Sequence, residues 1–247
     1  MAEKKDEPHI VMLKGVRVNM FNDQLYFPEA ELTTKGKKKG CFRFNWSSKF
    51  IFPKKDTPEG KELLAKAKAG LSAAKKAKWG DKTDDMKIKS GNTPLQDGDH
   101  EDITFSAYEG AYFLSASKTV YGPNGGSETD VPKRPYRIIG PRKVKNDAGE
   151  LKFPDVKPGE EGAPYSGSYV NLKVEFWGQD ADGERGIPNR LNATILAVQF
   201  AKHGDAFGGS STRVNVDDEF DEEGDDEGDD DLDGGTTSSG DGDDLDI

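Results

Sequence analysis

The chain has 247 residues, of which 33% are apolar and 33% charged, and its formal net charge is −11. Residues 217–247 hold 17 Asp or Glu and no Lys or Arg, whereas residues 1–216 hold 35 basic residues against 29 acidic ones. No apolar run approaches the roughly 18 residues of a membrane span, the N-terminus lacks an apolar signal core, and the single Cys41 excludes an internal disulfide. We therefore expect a cytoplasmic protein with no membrane contact, in which a basic body carries a polyanionic tail.

Six segments of the body have the composition and alternation of β-strands, and stretches rich in Gly, Pro and Asp separate them. The predicted strands are Ile10–Met20, Cys41–Phe52, Tyr108–Thr119, Arg134–Val144, Tyr165–Trp177 and Leu191–His203. One helix is predicted between the second and third strands. Thr57 is suited to cap it, Pro58 fits its first turn and Gly80 ends it. The repeat of Leu64, Ala67, Leu71 and Ala74 places these four side chains against the sheet.

Many strands and one amphipathic helix in under 200 residues predict a mainly β fold, a small closed antiparallel barrel with long loops. The pattern alone leaves an OB-fold, a jelly roll and an open sandwich as candidates. We expect a flexible N-terminus over residues 1–9, a folded domain over 10–205 and a Gly/Ser linker over 206–216. Residues 217–247 are expected to be disordered, because a like-charged run this dense has too little apolar surface to bury.

The last third of the chain contains a predicted strand in which two aromatic residues are expected to be exposed. In Tyr169–Trp177 the even-numbered residues are apolar, and the odd-numbered ones include Tyr169, Lys173 and Trp177. Rings interleaved with cations are what a single-stranded nucleic-acid groove requires. The alternative is that a loop or the helix covers this face and both rings belong to the core.

Two other segments add basic residues. In Cys41–Phe52 the aromatics share one parity and should line the barrel interior, which leaves Arg43 and Lys49 on the outer, polar face. This face is either ordinary solvated surface or part of a phosphate track. Residues 133–145 hold six basic residues and Tyr136, and their two prolines fit an edge strand with accessible backbone. This window is the best local candidate for a nucleic-acid contact, although basic loops without a ligand are common.

Catalytic and metal-binding patterns are weak. The three histidines are far apart, and no phosphate-binding loop, nucleophile elbow or zinc-protease motif occurs. The acidic cluster of residues 97–102 contains Asp97, Asp99 and Asp102 and could bind a divalent ion, as a nuclease needs, but a polar turn explains it better. We expect no cofactor, no metal site and no enzymatic activity.

The chain resembles a family of bacteriophage single-stranded DNA-binding proteins, formerly known as a domain of unknown function. The resemblance depends on short fragments in the family's order, and together they span residues 13–209. They are Leu13–Arg17, Phe50–Asp56, Lys78–Gly80, Pro94–Asp99, Tyr112–Lys118, Tyr165–Asn171 and Phe207–Gly209. The tail resembles the acidic tails of short-tailed coliphage and bacterial single-strand binding proteins, except that its tip is aliphatic and not aromatic.

This resemblance implies an OB-fold barrel that binds single-stranded DNA without sequence preference in phage DNA replication, recombination or repair, in the host cell cytoplasm. On this hypothesis cations follow the phosphates and rings stack on the bases. The candidate cations are Arg43, Lys49, Lys118, Arg134, Arg137, Arg142, Lys143 and Lys173, and the candidate rings are Tyr112, Tyr136, Tyr169 and Trp177.

The tail should compete with DNA for the groove, and its tip should recruit phage or host replication and recombination proteins. The tip residues are Asp243, Asp244, Leu245, Asp246 and Ile247. The protein is expected to be a monomer or homodimer. Two other classes remain open from the sequence: a metal-dependent nuclease, and an acidic-tailed chaperone or histone-like binder of basic proteins.

Overall fold

The computed structural model describes residues 7–83, 88–100, 103–146, 148–183 and 186–207. The chain divides into two units, Met1–Gly209 and Ser210–Ile247, and the description concerns the first of them. The predicted acidic tail and most of the predicted linker lie outside the described residues.

The described part contains ten strands and one long helix. The strands are β1 (Ile10–Asn19), β2 (Glu29–Leu32), β3 (Cys41–Lys54), β4 (Leu95–Asp97), β5 (Ala111–Asn124), β6 (Arg137–Ile139), β7 (Val144–Lys145), β8 (Leu151–Lys152), β9 (Tyr169–Gln179) and β10 (Arg190–Lys202). The helix α1 covers Pro58–Trp79, and short 3₁₀ turns occur at Gly80–Lys82, Ser90–Asn92 and Ser106–Tyr108. None of the helices in these ranges is long and apolar enough to cross a membrane.

Five of the strands close into a barrel in the order β3–β1–β9–β10–β5 and back to β3. Each neighbouring pair is antiparallel except β5 and β10, which run parallel where Ser117 lies opposite Thr194. Closure removes the free edges that an open sheet would expose. This arrangement confirms the predicted OB-fold-like barrel with one helix.

The barrel interior is built from one parity of each long strand. In β3, Phe44, Trp46 and Phe50 are fully or almost fully buried, as their alternation predicts. The same holds in β9 for the even-numbered residues Val170 to Phe176. The one polar atom of the Trp46 ring is satisfied, because its Nε1 donates to the carbonyl of Tyr26 at 3.2 Å. The outer parities of β3 and β5 are therefore free to form a surface.

The helix has the predicted boundaries. The Gly60 amide donates to the Thr57 hydroxyl at 3.0 Å, which caps the first turn, and Gly80 ends the helix with a positive φ of 54°. One face residue differs from the prediction, since Leu63 is buried whereas Leu64 is only half-buried. The stripe that packs on the barrel is thus shifted by one residue at its N-terminal end.

Gly70 lets α1 lie close to the barrel. A Cβ at this position would be 2.6 Å from a Val11 methyl and 2.7 Å from the Phe176 ring, and that ring is fully buried. We expect Gly70→Ala to lower the free energy of unfolding by roughly 1–2 kcal/mol, because overpacking outweighs the helix propensity gained. Urea unfolding measures this. The control is Ala69→Gly on the exposed side, which should lose about 1 kcal/mol of propensity. A stabilised Gly70→Ala variant would contradict the packing argument.

The prediction of a single strand over residues 134–144 is wrong. The segment divides into β6 and β7, with Pro141 between them. β6 runs parallel to β10, where Ile138 lies opposite Val198, so it extends the barrel wall. On the other side of β6 the Val156 amide donates to the Ile138 carbonyl at 3.0 Å, so this backbone is not a free edge. The start of the third predicted strand also differs, because Tyr108 lies in a 3₁₀ turn ahead of β5.

Candidate nucleic-acid interface

The outer faces of β3 and β5 form one continuous polar surface. Antiparallel pairing places Asn45 opposite Thr119, Ser47 opposite Ser117, and Lys49 opposite Ser115. Residues opposite each other in a sheet project to the same side. All of these side chains lie on the side away from the buried parity of β3, so the two strands together provide the floor of a surface groove.

The groove has a volume of about 830 Å³. One wall comes from the connection between β1 and β3, with Phe21 and Gln24, and another from the start of β10, with Arg190 and Asn192. Segment 91–96 and the groove-end residues Tyr108 and Phe113 complete the lining. The site is therefore assembled from the second and third barrel strands and from the loops on either side of them.

The floor consists largely of neutral hydrogen-bonding groups. The Thr119 hydroxyl donates to Asn45 Oδ1 at 2.8 Å, and the Ser47 hydroxyl donates to Gln24 Oε1 at 2.7 Å. Asn19 Nδ2 donates to the Tyr108 hydroxyl at 2.7 Å. These bonds hold the side chains in place and leave further donor and acceptor positions directed to solvent. Such a floor can accept polar base edges without requiring one particular base.

Two cations line the groove. Lys49 Nζ lies 5.6 Å from the Tyr108 ring centroid and 5.4 Å from that of Phe113, and Arg190 projects from the opposite wall. Neither forms an ion pair with a described residue. Their charges are therefore available to an anionic ligand. Arg43 is on the same face farther along β3, but it pairs with Glu31.

Exposed rings surround the groove. Phe21 in its wall is 73% exposed, Tyr121 at the far end of β5 is 39% exposed, and Phe105 beyond the Tyr108 end is 37% exposed. Exposed rings at these positions offer faces on which bases can stack. With the cations, they supply the two kinds of group that bind a single strand.

Three residues of the predicted set lie on the outer face of β9. Tyr169 and Lys173 are half-buried and exposed respectively, and Trp177 is 41% exposed, so the helix does not seal this face. Trp177 lies opposite Asn192 of the groove wall, and its Nε1 donates to the Thr194 hydroxyl at 2.9 Å. Trp177 thus borders the groove, whereas Lys173 lies farther along the strand, opposite Ala197.

Tyr136 belongs to the core and cannot offer a stacking face in this structure. It is 5% exposed, and its hydroxyl donates to the Leu25 carbonyl at 2.6 Å. Burial raises the pKa of this phenol, although the nearby Arg134 guanidinium opposes the shift. Arg134 itself lies over the Tyr26 and Tyr136 rings and bonds to the Tyr136 carbonyl. Its side chain therefore packs on two core rings and does not line the groove.

The rest of the basic run 133–145 does not line the groove. Arg137 pairs with Asp155 at 2.8 Å and donates to the Phe153 carbonyl. Arg142 and Lys143 are exposed on the connection between β6 and β7. They form a separate basic surface near the β7–β8 hairpin.

Tyr112 and Lys118 have the parity of β5 that points away from the groove floor. Lys118 lies opposite Trp46, and Tyr112 lies opposite Asp97 of β4. Lys55 Nζ covers the Tyr112 ring at 4.7 Å. Both residues are half-buried, and neither lines the groove.

Sequence reasoning missed Phe21, Tyr121, Phe105 and Arg190. Phe21 and Phe105 lie in loops, where no periodicity signals exposure, and Arg190 opens a strand whose neighbours were unknown. The outward direction of Tyr121 could have been predicted, because the strand that pairs with β3 must also have alternate residues on the outer face. The missing information was the register, which pairs Tyr121 with Arg43.

The acidic cluster is held by Lys55, which pairs with Asp97 and, at 2.7 Å, with Asp99. Partial burial raises the pKa of Asp97, but hydrogen bonds from Lys55 and from the Asp99 amide outweigh it and leave this pKa below its ordinary value. Glu101 and Asp102 lie outside the described residues. Among the described residues, no group of three or more His, Cys, Asp or Glu is placed to hold a metal ion.

A lowered carboxyl pKa stabilises the fold above the unfolded-state pKa, near 3.9, and the contribution is lost as the pH falls through the folded-state value. We therefore expect Asp97→Asn to cost about 0.5–1 kcal/mol of unfolding free energy at pH 7. The difference from wild type should shrink once the pH falls below about 3.9, and it should be smaller at pH 3 than at pH 7. Urea unfolding at both pH values measures this, with Asp56→Asn as the control for an exposed aspartate without an ion pair in the described ranges. A gap that is as large at pH 3 as at pH 7 would contradict the assignment.

Comparison with known proteins places this architecture among phage proteins. Residues 10–232 match the family model described as the ssDNA-binding protein of Enterobacter phage Enc34. The chain is 30% identical over 200 residues to putative protein p50 of Acyrthosiphon pisum secondary endosymbiont phage 1, which covers 78% of this chain and 88% of that protein.

Two solved structures of the Enc34 protein have the same fold. Its complex with single-stranded DNA superposes with a TM-score of 0.53 at 18% identity, covering 81% of this chain and 90% of that one. A second structure of the Enc34 protein gives a TM-score of 0.51 at 19% identity, over 86% of this chain and 90% of that one. The family and these structural neighbours are single-stranded DNA-binding proteins and not enzymes.

Proposed function

The chain belongs to the family of the single-stranded DNA-binding protein of Enterobacter phage Enc34, and from this premise we propose that the groove over β3 and β5 binds single-stranded DNA without sequence preference. The main support for this proposal is the position of the groove on the barrel. In OB-folds the outer face of the second and third strands, with the loops that join strands 1–2 and 4–5, binds oligonucleotides. Here those parts are β3, β5, the connection holding Phe21, and the end of the β9–β10 connection at Arg190.

The composition of the groove supports an arrangement in which the bases of the bound strand lie inside it and the phosphates lie at its rim. The floor is neutral and hydrogen-bonding, the rings of Phe21 and Trp177 border it, and Lys49 and Arg190 are without carboxylate partners in the described part of the chain. Stacking on a ring is worth about 1–3 kcal/mol per base and tolerates any base. Recognition of this kind suits a protein that coats single strands, and we assign it to phage DNA replication, recombination or repair.

The acidic tail acts as a competitor for the same groove. It carries 17 acidic residues and no basic one, whereas the remainder of the chain has an excess of basic residues. A chain of 31 residues with random-coil dimensions spans about 30 Å, and a folded body of this size has a radius of gyration of about 17 Å. Phe207, the last described residue, packs against the cluster of Tyr108 and Phe113 at the groove end. The described part of the chain therefore ends beside the proposed site.

DNA that displaces the tail frees its tip, Asp243–Ile247, for replication or recombination proteins. Leu245 and Ile247 alternate there with aspartates, which provides a short apolar and anionic motif for a partner surface. Binding of DNA and recruitment of partners are thereby coupled, because both depend on where the tail is held.

The test is a titration of labelled oligo-dT, followed by anisotropy, at several salt concentrations. Displacement of about five counterions gives a slope of log affinity against log salt near −3.5 for a single strand. Oligonucleotides of other base composition should bind with similar affinity, whereas a duplex without single-stranded ends should not compete at equal concentration. A flat salt dependence, or strong preference for one base sequence, would contradict the proposal.

A further inference from the structure

The surface that combines rings and cations continues beyond the end of the groove. At its end the Tyr108 ring stacks on Phe113 with centroids 4.4 Å apart, and Lys49 lies over both. Phe105 then meets Tyr108 edge-on at 5.3 Å, on the side that leads out of the groove. Because Tyr108 and Phe113 are buried, Phe105 is the first ring past the groove end that remains partly exposed.

From Phe105 the surface continues around the barrel end. Phe207 meets Phe105 at 5.4 Å with the ring planes at 87°, and the Arg17 guanidinium carbon lies 4.3 Å from the Phe207 centroid. The same guanidinium is 5.5 Å from the Tyr169 ring, and Lys202 Nζ covers that ring at 4.5 Å. We call Phe105, Phe207, Arg17, Tyr169 and Lys202 the outer ladder.

Bonds to backbone groups hold two members of the outer ladder, Arg17 and Phe207, in place. Arg17 Nε donates to the Gly167 carbonyl at 3.1 Å, and its Nη2 donates to the Asp205 carbonyl at 2.7 Å. The Phe207 amide donates to the Ser166 carbonyl at 3.0 Å. The geometry exists before any ligand arrives, which lowers the entropic cost of binding.

Charge distinguishes the outer ladder from an ordinary cluster that caps a barrel. Arg17 donates to carbonyl groups and Lys202 to none, and neither forms an ion pair with a residue in the described ranges. Two positive charges therefore remain uncompensated beside rings that solvent partly reaches. Arg17 also serves packing through its two carbonyl bonds, but packing does not account for a second cation, Lys202, that forms no ion pair in the described ranges.

We propose that the outer ladder is a second stretch of the DNA site, which holds the nucleotides that leave the groove at its Tyr108 end. Bases contact the rings of Phe105 and Phe207, and phosphates lie between Arg17 and Lys202. The inference rests on the proposed function and adds a footprint longer than the groove, with Tyr169 as part of its outer end. The ligand is single-stranded DNA continuous with the strand in the groove.

The experiment uses the full-length protein and oligo-dT of increasing length, from about 4 to about 16 nucleotides, the range of site sizes for one OB domain. Wild-type affinity should rise and then level off. Phe207→Leu keeps an apolar side chain on the cluster but removes the ring. It should bind the shortest oligonucleotides as wild type does, lose about tenfold on the longest ones, and level off about one nucleotide earlier, because it removes one stacking ring. Phe207→Trp should keep the wild-type profile.

Phe27→Leu is the matched control, because this exposed ring lies in neither the groove lining nor the outer ladder. A loss with Phe207→Leu that is equal at every length would overturn the inference, since the ring would then act through the shape of the groove. No loss at any length would overturn it as well, as would an equal loss with Phe27→Leu. Absence of binding by the wild type would instead overturn the proposed function.

Discussion

Replacing Lys49 and Arg190 together by Glu is expected to weaken oligo-dT binding about 100-fold, which corresponds to about 2.7 kcal/mol. A hydrogen bond to a charged group contributes about 1.5–3 kcal/mol, and solvent exposure of both side chains reduces that figure. Charge reversal also places repulsion where phosphates are proposed to lie. Anisotropy titration at constant salt measures the loss.

The matched control is Lys61→Glu with Lys68→Glu on the outer face of α1, which changes the net charge by the same amount. Both lysines are exposed and form no ion pair with a described residue. The groove variant should also show a salt slope shallower by about 1.4, since two cations no longer release counterions. If the helix variant weakens binding as much as the groove variant, affinity follows net charge and the groove has no special role.

Truncation after Arg213 is expected to tighten single-stranded DNA binding about tenfold at low salt, and less as salt increases. A tethered competitor is present at an effective concentration on the order of millimolar, and its attraction to the groove is screened over a Debye length of about 10 Å at 0.1 M ionic strength. The measurement is the oligo-dT affinity of both chains at several salt concentrations.

The control for truncation keeps the length of the tail and removes its charge, by replacing every Asp and Glu of residues 217–247 with Asn and Gln. This neutral tail should bind DNA as tightly as the truncated chain, because competition depends on charge and not on bulk. Equal affinity with and without the acidic tail would refute competition.

Local patterns predicted the elements better than they predicted their assembly. Thr57, Pro58 and Gly80 set the limits of α1 because capping and helix termination are decided within a few residues. The parity of β3 identified Phe44, Trp46 and Phe50 as core for the same reason. The OB-fold itself came from family resemblance, since strand order and the parallel pairing of β5 with β10 connect residues far apart in sequence.

The candidate site was the part that the sequence showed least. Of the twelve predicted contact residues, Lys49 lines the groove, while Arg43 and Trp177 lie beside it. Tyr136 has the same parity as Ile138, and this alternation within the basic run was the signal for burial. Phe21 carries no such signal, because a loop residue's exposure is decided by which strands the loop joins. The groove thus required the register, which charge patterns do not encode.

We propose that bases lie on the outer face of β3 and β5, and ultraviolet cross-linking of oligo-dT to the full-length protein locates them. Cross-links are expected at rings bordering the groove, with Phe21, Tyr121 and Trp177 as the leading positions. Excess unlabelled single-stranded DNA should abolish them. Cross-links confined to α1 or to the β7–β8 hairpin, with none at the groove, would contradict it.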